Sequence, residues 1–339
     1  MTTKLLLLTL LSGLLLGPHS SGQETKAGSA SVAQIAAAAE EMLAALGDGQ
    51  RAKVVFDFKD EAQRKRWSNL PTSSAKRAGV RLGDLTEPQR DAVWKFLKAA
   101  FSPAGYQKIW EIVQSDEVLE QRSGRKMFGR DEFYLSFVGK PSAQDPWMIQ
   151  FGGHHLAINL TLAGRHGTLA PSHTAAQPAI FELEGRTIRP LGGETSKAFA
   201  LITALDDAQR KQAILGSEFR DLVLGPGRDG QTIQPEGIKG SALTEKQREM
   251  LLDLISEWSG IMPAFLAKAK MEDLRSHITD TWFAWSGPTE KGAAAYFRVQ
   301  GPTVIIELAP QRLGGDPTQH IHTIYREPAN DYGVQWWKR

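Results

Sequence analysis

Phe151-Gly152-Gly153-His154-His155-Leu156-Ala157-Ile158-Asn159-Leu160 reads as a tight glycine turn feeding a half-buried strand. Leu156, Ile158, Leu160 and Leu162 recur at period two, which places them on one face of a β-strand and makes that face a core face. His155, Ala157, Asn159 and Thr161 fall on the other side. This parity aims His155 away from the apolar face, at a strand mouth where glycines let a backbone or a ligand come close. The same parity turns His154 toward the apolar face. There it reads as a core histidine with a polar partner, or as a further metal ligand if a bulge reverses it.

The rest of the chain alternates helical and extended blocks. Ser31 caps a helix from Val32 to Leu46 that Gly47 closes, and Thr86-Glu87-Pro88-Gln89 is a capping box. The helix that box opens carries Val93, Trp94, Phe96, Leu97, Ala100 and Phe101 on one stripe. Ser102-Pro103-Ala104-Gly105 breaks it, and a further helix follows from about Tyr106 to Leu119, with Ile109, Trp110, Ile112 and Val113 inward. Strands follow at 133–138, 147–151 and 155–162. A polar loop over 164–177 then holds His166 and His173, and a hairpin turns at Glu184-Gly185. Capping patterns at Asp206 and Thr244 open two more helices. Strands return at 281–285, 294–300, 304–309 and 321–326.

Two segments echo one another. Leu85-Thr86-Glu87-Pro88-Gln89-Arg90 is matched by Leu243-Thr244-Glu245-Lys246-Gln247-Arg248, and Phe137-Val138-Gly139 by Trp285-Ser286-Gly287. At identical spacing, the segment ending Asn159-Leu160 then matches the one ending Glu307-Leu308. The expectation is an α+β fold of two pseudo-repeated halves, about 84–163 and 242–310, each a helical segment followed by an antiparallel β-meander. A pair of sheets would then surround a polar centre, where ligands tend to bind.

His320-Ile321-His322 supplies a second histidine pair. Strand residues two apart share a face, so both imidazoles can meet His155 around one ion. Imidazole suits zinc, copper, iron or nickel, and three protein ligands with an open position is a common catalytic metal design. Glu307, a carboxylate inside the apolar run Val304-Ile305-Ile306, serves as ligand, as base, or as a salt-bridge partner of Arg298 or Arg326. Arg326 shares the parity of the two histidines. It binds a substrate carboxylate or pairs with Asp331. The alternative to a metal is a hydrogen-bonded histidine network.

Composition narrows the classes. The chain has 339 residues, 41% hydrophobic and 23% charged, with a net charge of +2, an ordinary globular balance with no footprint for nucleic acid. It has no cysteine, so disulfides and thiolate ligands are excluded. The Gly225–Gly230 loop lacks the Lys-Ser/Thr ending of a P-loop, and no Gly-x-Ser-x-Gly elbow is present. Lys4 followed by the apolar run Leu5–Leu16 and a small-residue exit reads as a signal peptide over 1–22, with a flexible leader over 23–31 and one domain over 32–339. The apolar run is short for a membrane span, so the mature protein is expected without a stable span, in the periplasm or secreted. Its partners would be a metal ion or a small-molecule substrate.

The motifs Gly153-His154-His155-Leu156, Phe297-Arg298-Val299-Gln300-Gly301-Pro302, and His320-Ile321-His322 running on to Asn330-Asp331-Tyr332-Gly333 resemble an uncharacterised bacterial family, DUF3500. The likeness covers the chain from about Val32 onward. It groups the motifs and implies no reaction. The family's Pro-x-aromatic loop is here Pro171-Ser172-His173, which sets His173 apart from the shared pattern.

Overall fold

The capping signals act as read. Ser31, Thr86, Asp206 and Thr244 each begin a helix, and in each case the glutamine three residues on bonds back to the cap. The structure, a computed structural model, describes residues 31–337. The segment read as a signal peptide and nearly all of the leader lie outside the described residues.

The first half runs α1 (Val32–Ala44), α2 (Asp48–Val54), β1 (Val55–Phe56), α3 (Glu61–Arg64), β2 (Val80–Arg81), α4 (Glu87–Ala100), α5 (Pro103–Ser123), β3 (Tyr134–Val138), β4 (Trp147–Gly153), β5 (Leu156–Ala163), β6 (His166–Thr168) and β7 (Ser172–Ala176). A hairpin of β8 (Phe181–Leu183) and β9 (Arg186–Ile188) links it to the second half. That half runs α6 (Gly192–Ala204), α7 (Asp207–Ala213), β10 (Ile214–Gly216), β11 (Ile238–Lys239), α8 (Glu245–Ser259), α9 (Ala264–Ser276), β12 (Trp282–Ser286), β13 (Tyr296–Gly301), β14 (Val304–Pro310), β15 (Ile321–Arg326) and α10 (Val334–Trp337).

Several boundaries shift by a few residues from the sequence reading, and two differences bear on the site. Helix α5 starts at Pro103, because Ser102 caps it and proline is tolerated in a first turn, so one segment both ends α4 and opens α5. His166 and His173 lie on β6 and β7 and not in a loop. Strand β7 exists because β5 and β15 both pair with it, and local propensity does not announce that partnership.

All the strands but β8 and β9 form one mixed 13-stranded sheet in the order β1-β3-β4-β5-β7-β15-β14-β13-β12-β10, with β2, β6 and β11 attached to its sides. The facing pair of sheets expected from the repeat is thus one continuous sheet, joined edge to edge at β7 and β15. Outward from that junction both sides read alike. Each has an antiparallel meander and then a parallel edge strand, β1 beside β3 and β10 beside β12.

Helices cover one face of this sheet. Leu156, Ile158, Leu160 and Leu162 are fully buried in that core, each contributing about 1.5–3 kcal/mol by leaving water. The other face is buried too, which the half-buried reading of β5 missed. Asn159 and Thr161 are 1% and 0% exposed. Two long segments, 57–79, which is loop apart from the single turn of α3, and the loop 217–237, lie over that face and bond to it. Gln63 bonds Ser136 and Gln150, while Val223 and Leu224 donate their amides to Glu307. Among the described residues no helix is long and apolar enough to cross a membrane.

Each covering loop ends on a glycine pressed against the sheet. A Cβ at Gly79 would lie 2.1 Å from the Leu135 carbonyl oxygen, and one at Gly237 2.2 Å from that of Phe283, with φ of +109° and +95°. Gly79→Ala and Gly237→Ala are each expected to cost about 2–4 kcal/mol in urea unfolding. Gly124→Ala, at φ +67° but in open space, should cost only about 1 kcal/mol. Equal losses at all three positions would contradict the close approach.

Candidate metal centre

The centre begins at a hairpin. Strands β4 and β5 pair down to Gly153 opposite Leu156, so His154 and His155 are the two residues of the turn itself. This corrects the strand parity argued for them. Gly152 and Gly153 belong to β4, and a Cβ on either would strike backbone, 2.3 Å from the Leu156 oxygen and 2.7 Å from the Glu132 oxygen respectively. Backbone, and not a ligand, is what the two glycines admit. His155 adopts φ +64°, the left-handed region that costs a side chain roughly 1–2 kcal/mol.

Strand β15 supplies the other side. His322 lies on it and His320 precedes it. Their alternation puts both on one face, as the spacing predicted, and that face is the covered one. His320 Nε2 lies 3.0 Å from His155 Nε2 and 2.9 Å from His322 Nε2. The three rings are 2–6% exposed. One ligand atom from each lies within 4.8 Å of the others, and the same holds for Asp116, His154 and His155.

The protons on this cluster do not balance. The Leu313 carbonyl accepts from His320 Nδ1 at 2.6 Å, which leaves the His320 Nε2 lone pair pointing at the other two rings. One lone pair cannot accept two full hydrogen bonds. His155 Nδ1 is buried without a partner. The Asn69 amide lies 3.4 Å from His322 Nδ1. Burial, reinforced by the neighbouring histidines, holds the His155 and His322 imidazoles well below their ordinary pKa. Burial lowers His320 as well, against the opposing pull of the Leu313 carbonyl. Neutral imidazoles with converging lone pairs match a cation. An ion at the ~2.0–2.1 Å bond length usual for imidazole would bridge donors at this separation. A ring whose second nitrogen donates to a carbonyl is the usual support for a metal-bound histidine.

His154 stands behind the trio. Its Nδ1 is 2.6 Å from Asp116 Oδ1, and its ring stacks on His155 with centroids 3.5 Å apart. Phe128 packs on His154 at 4.7 Å, and the Gly129 amide donates to the second Asp116 oxygen. This stack fixes the strained His155. Asp116 was overlooked in the sequence, although a signal was there. It continues the buried stripe Ile109, Ile112, Val113 of α5, where a carboxylate demands a polar partner.

The structure does not bring Glu307 or Arg326 to the histidines. Glu307 accepts from the Val223 and Leu224 amides and from Tyr296 Oη, at 2.9, 2.7 and 2.7 Å. It is in neither group of converging ligand atoms. Arg326 donates to the Leu224 and Gly225 carbonyls and to Asp229 and Asp331. Both side chains hold the 217–237 loop. His166 stacks on Trp336, and His277 ends α9 against the Asp273 carbonyl; neither belongs to a group of converging ligand atoms.

His173 is the histidine the sequence undervalued. It is fully buried on β7, its ring centroid lies 5.1 Å from that of His322, and neither ring nitrogen makes a hydrogen bond of ordinary geometry. A family model described as "Protein of unknown function (DUF3500)" matches residues 28–334. No curated protein and no solved structure matches the chain.

Burial lowers His173 from 6.5 to about 3. As pH falls through 6.5 the unfolded chain takes up this proton while the folded ring stays neutral. The stability this ring contributes is therefore complete above that pH. It is lost on acidification toward 3, by up to about 1.4 kcal/mol per pH unit. His173→Leu should flatten the fall of urea stability between pH ~6.5 and ~4 by about that slope, and it should fold at neutral pH. An unchanged slope would show that the buried ring does not titrate as described.

Proposed function

This chain belongs to the DUF3500 family, whose function is unknown, and from that premise we propose that it is a metal-binding protein, acting as a metal-dependent enzyme, with His155, His320 and His322 as ligands through Nε2. The observation that carries this reading is the meeting of three imidazole nitrogens, with His320 Nε2 3.0 Å from His155 Nε2 and 2.9 Å from His322 Nε2, and all three within 4.8 Å of one another. Three protein donors leave coordination positions for a substrate or water, the arrangement of catalytic rather than structural sites. Zinc, copper or iron held there would supply Lewis-acid or redox chemistry to a small molecule.

The protein's own residues define and hold that site. Leu313 fixes the His320 tautomer, while His154 and Asp116 fix the His155 ring. Glu307 and Arg326 keep the 217–237 loop over the same face, so their part is to hold the cover and not to move a proton. The near-complete burial of the ligands favours a second reading, a non-catalytic protein that captures a metal or small ligand. The apolar run after Lys4 supports export to the periplasm or beyond.

We infer also that the two halves descend from one duplicated unit. The Gln50–Gln89 side-chain pair has its counterpart in Gln209–Gln247, and Arg90 bonds the Leu85 carbonyl as Arg248 bonds that of Leu243. The rows Ser136, Gln150, Asn159 and Ala284, Arg298, Glu307 occupy the same register in their meanders. Both rows hold a covering loop.

Metal analysis of the full protein tests the central claim. Loading with cobalt(II) should give about one equivalent per chain and visible bands characteristic of nitrogen ligands. The His320→Ala/His322→Ala variant should lose both, whereas His166→Ala keeps them. Failure of the native protein to take up zinc, copper, iron or cobalt stoichiometrically would end this reading. An open position exchanging with added azide supports the enzyme, and a closed shell supports capture.

A further inference from the structure

A cavity of about 390 Å³ lies on the helical face of the sheet, between α6 and strands β12 to β14. Its size is that of a small-molecule pocket. Trp285, Phe199 and Phe297 line its interior. The Trp285 ring packs edge-on to Phe199 at 5.0 Å and parallel to Phe297 at 6.4 Å. The Trp285 indole nitrogen is already satisfied by the Gly287 and Pro288 carbonyls, so it offers the cavity no polar group. An aromatic, apolar interior of this kind binds hydrocarbon or ring systems.

The mouth has a different character. Arg189 and Lys291 are exposed and line it, and among the described residues neither forms an ion pair. No aspartate or glutamate lines the cavity. Ile180, an exposed apolar side chain, lies on the same rim. Two unpaired cations over an aromatic interior are complementary to one kind of molecule.

We propose that this cavity is a binding site for a small anionic amphiphile, with an aliphatic or aromatic body inside and its carboxylate between Arg189 and Lys291. The site is separate from the histidine centre. Ile321 lines the cavity, whereas its neighbours His320 and His322 point to the opposite face of the sheet. It stands whether or not the histidines take a metal. It shares β15 with them, and Pro317 and Thr318, in the turn that leads to His320, also line it.

Calorimetric titration of the full chain with decanoate, decanol and decylammonium tests the proposal. Decanoate should bind saturably, about tenfold more tightly than decanol, with decylammonium weaker than both. Arg189→Glu/Lys291→Glu, two surface changes, should bring decanoate down to decanol or below and leave decanol unaltered. Ser196→Trp, placed to obstruct the cavity, should abolish both while leaving cobalt(II) uptake intact. The proposal is overturned if decanoate does not bind saturably, or if decanoate and decanol bind alike. It is equally overturned if a folded Ser196→Trp protein still binds, or if His320→Ala/His322→Ala removes decanoate binding, since the probe would then sit elsewhere.

Discussion

The sheet is buried on both faces, and long helices supply only one of the covers. The other cover is mostly loop, with the single turn of α3 in it, and a loop brings backbone amides and carbonyls that must find partners once water is excluded. The sheet face beneath therefore carries polar side chains. Ser136 and Gln150 answer the 57–79 side, and Arg298, Glu307 and Arg326 answer the 217–237 side. A carboxylate in the middle of an apolar strand meets this demand. Two loop amides and a tyrosine hydroxyl use both of its oxygens.

The same rule sets the histidines apart. They lie on the covered face at the junction of the two halves, where β7 meets β15, yet the Nε2 atoms of His155, His320 and His322 meet one another and not the loops. His155 and His173 keep buried nitrogens without partners, and the three Nε2 atoms face one another. Where the flanking rows use polar groups to hold a cover, the junction collects lone pairs. Strain at His155, and the Asp116–His154–Phe128 stack that opposes it, show how much surrounding structure maintains that arrangement.

Strand β15 presents different chemistry to its two sides. His320 and His322 face the loops, while Ile321 faces the aromatic cavity beneath α6. The alternation of side chains along a strand makes this division unavoidable, and it brings two unlike environments within one residue of each other.

Much of the fold was legible because its signals are local. Four capping boxes began four helices, period-two apolar runs gave the long strands, and His320-Ile321-His322 gave a pair of rings on one face. Parity failed at His154 and His155 because a two-residue turn interrupts the alternation on which parity depends. His173 went unread because β7 owes its existence to neighbours on both sides, one of them about 150 residues away. Asp116 could have been found on its helical stripe, but its partner could not. The sequence by itself determined the α+β class, most elements and the residue types available to a metal. Tertiary structure decided that the halves share one sheet, that loops cover its second face, and that three imidazoles meet there. Those outcomes rest on long-range strand pairing and on hydrogen bonds across the sheet, and no local pattern of residues encodes either.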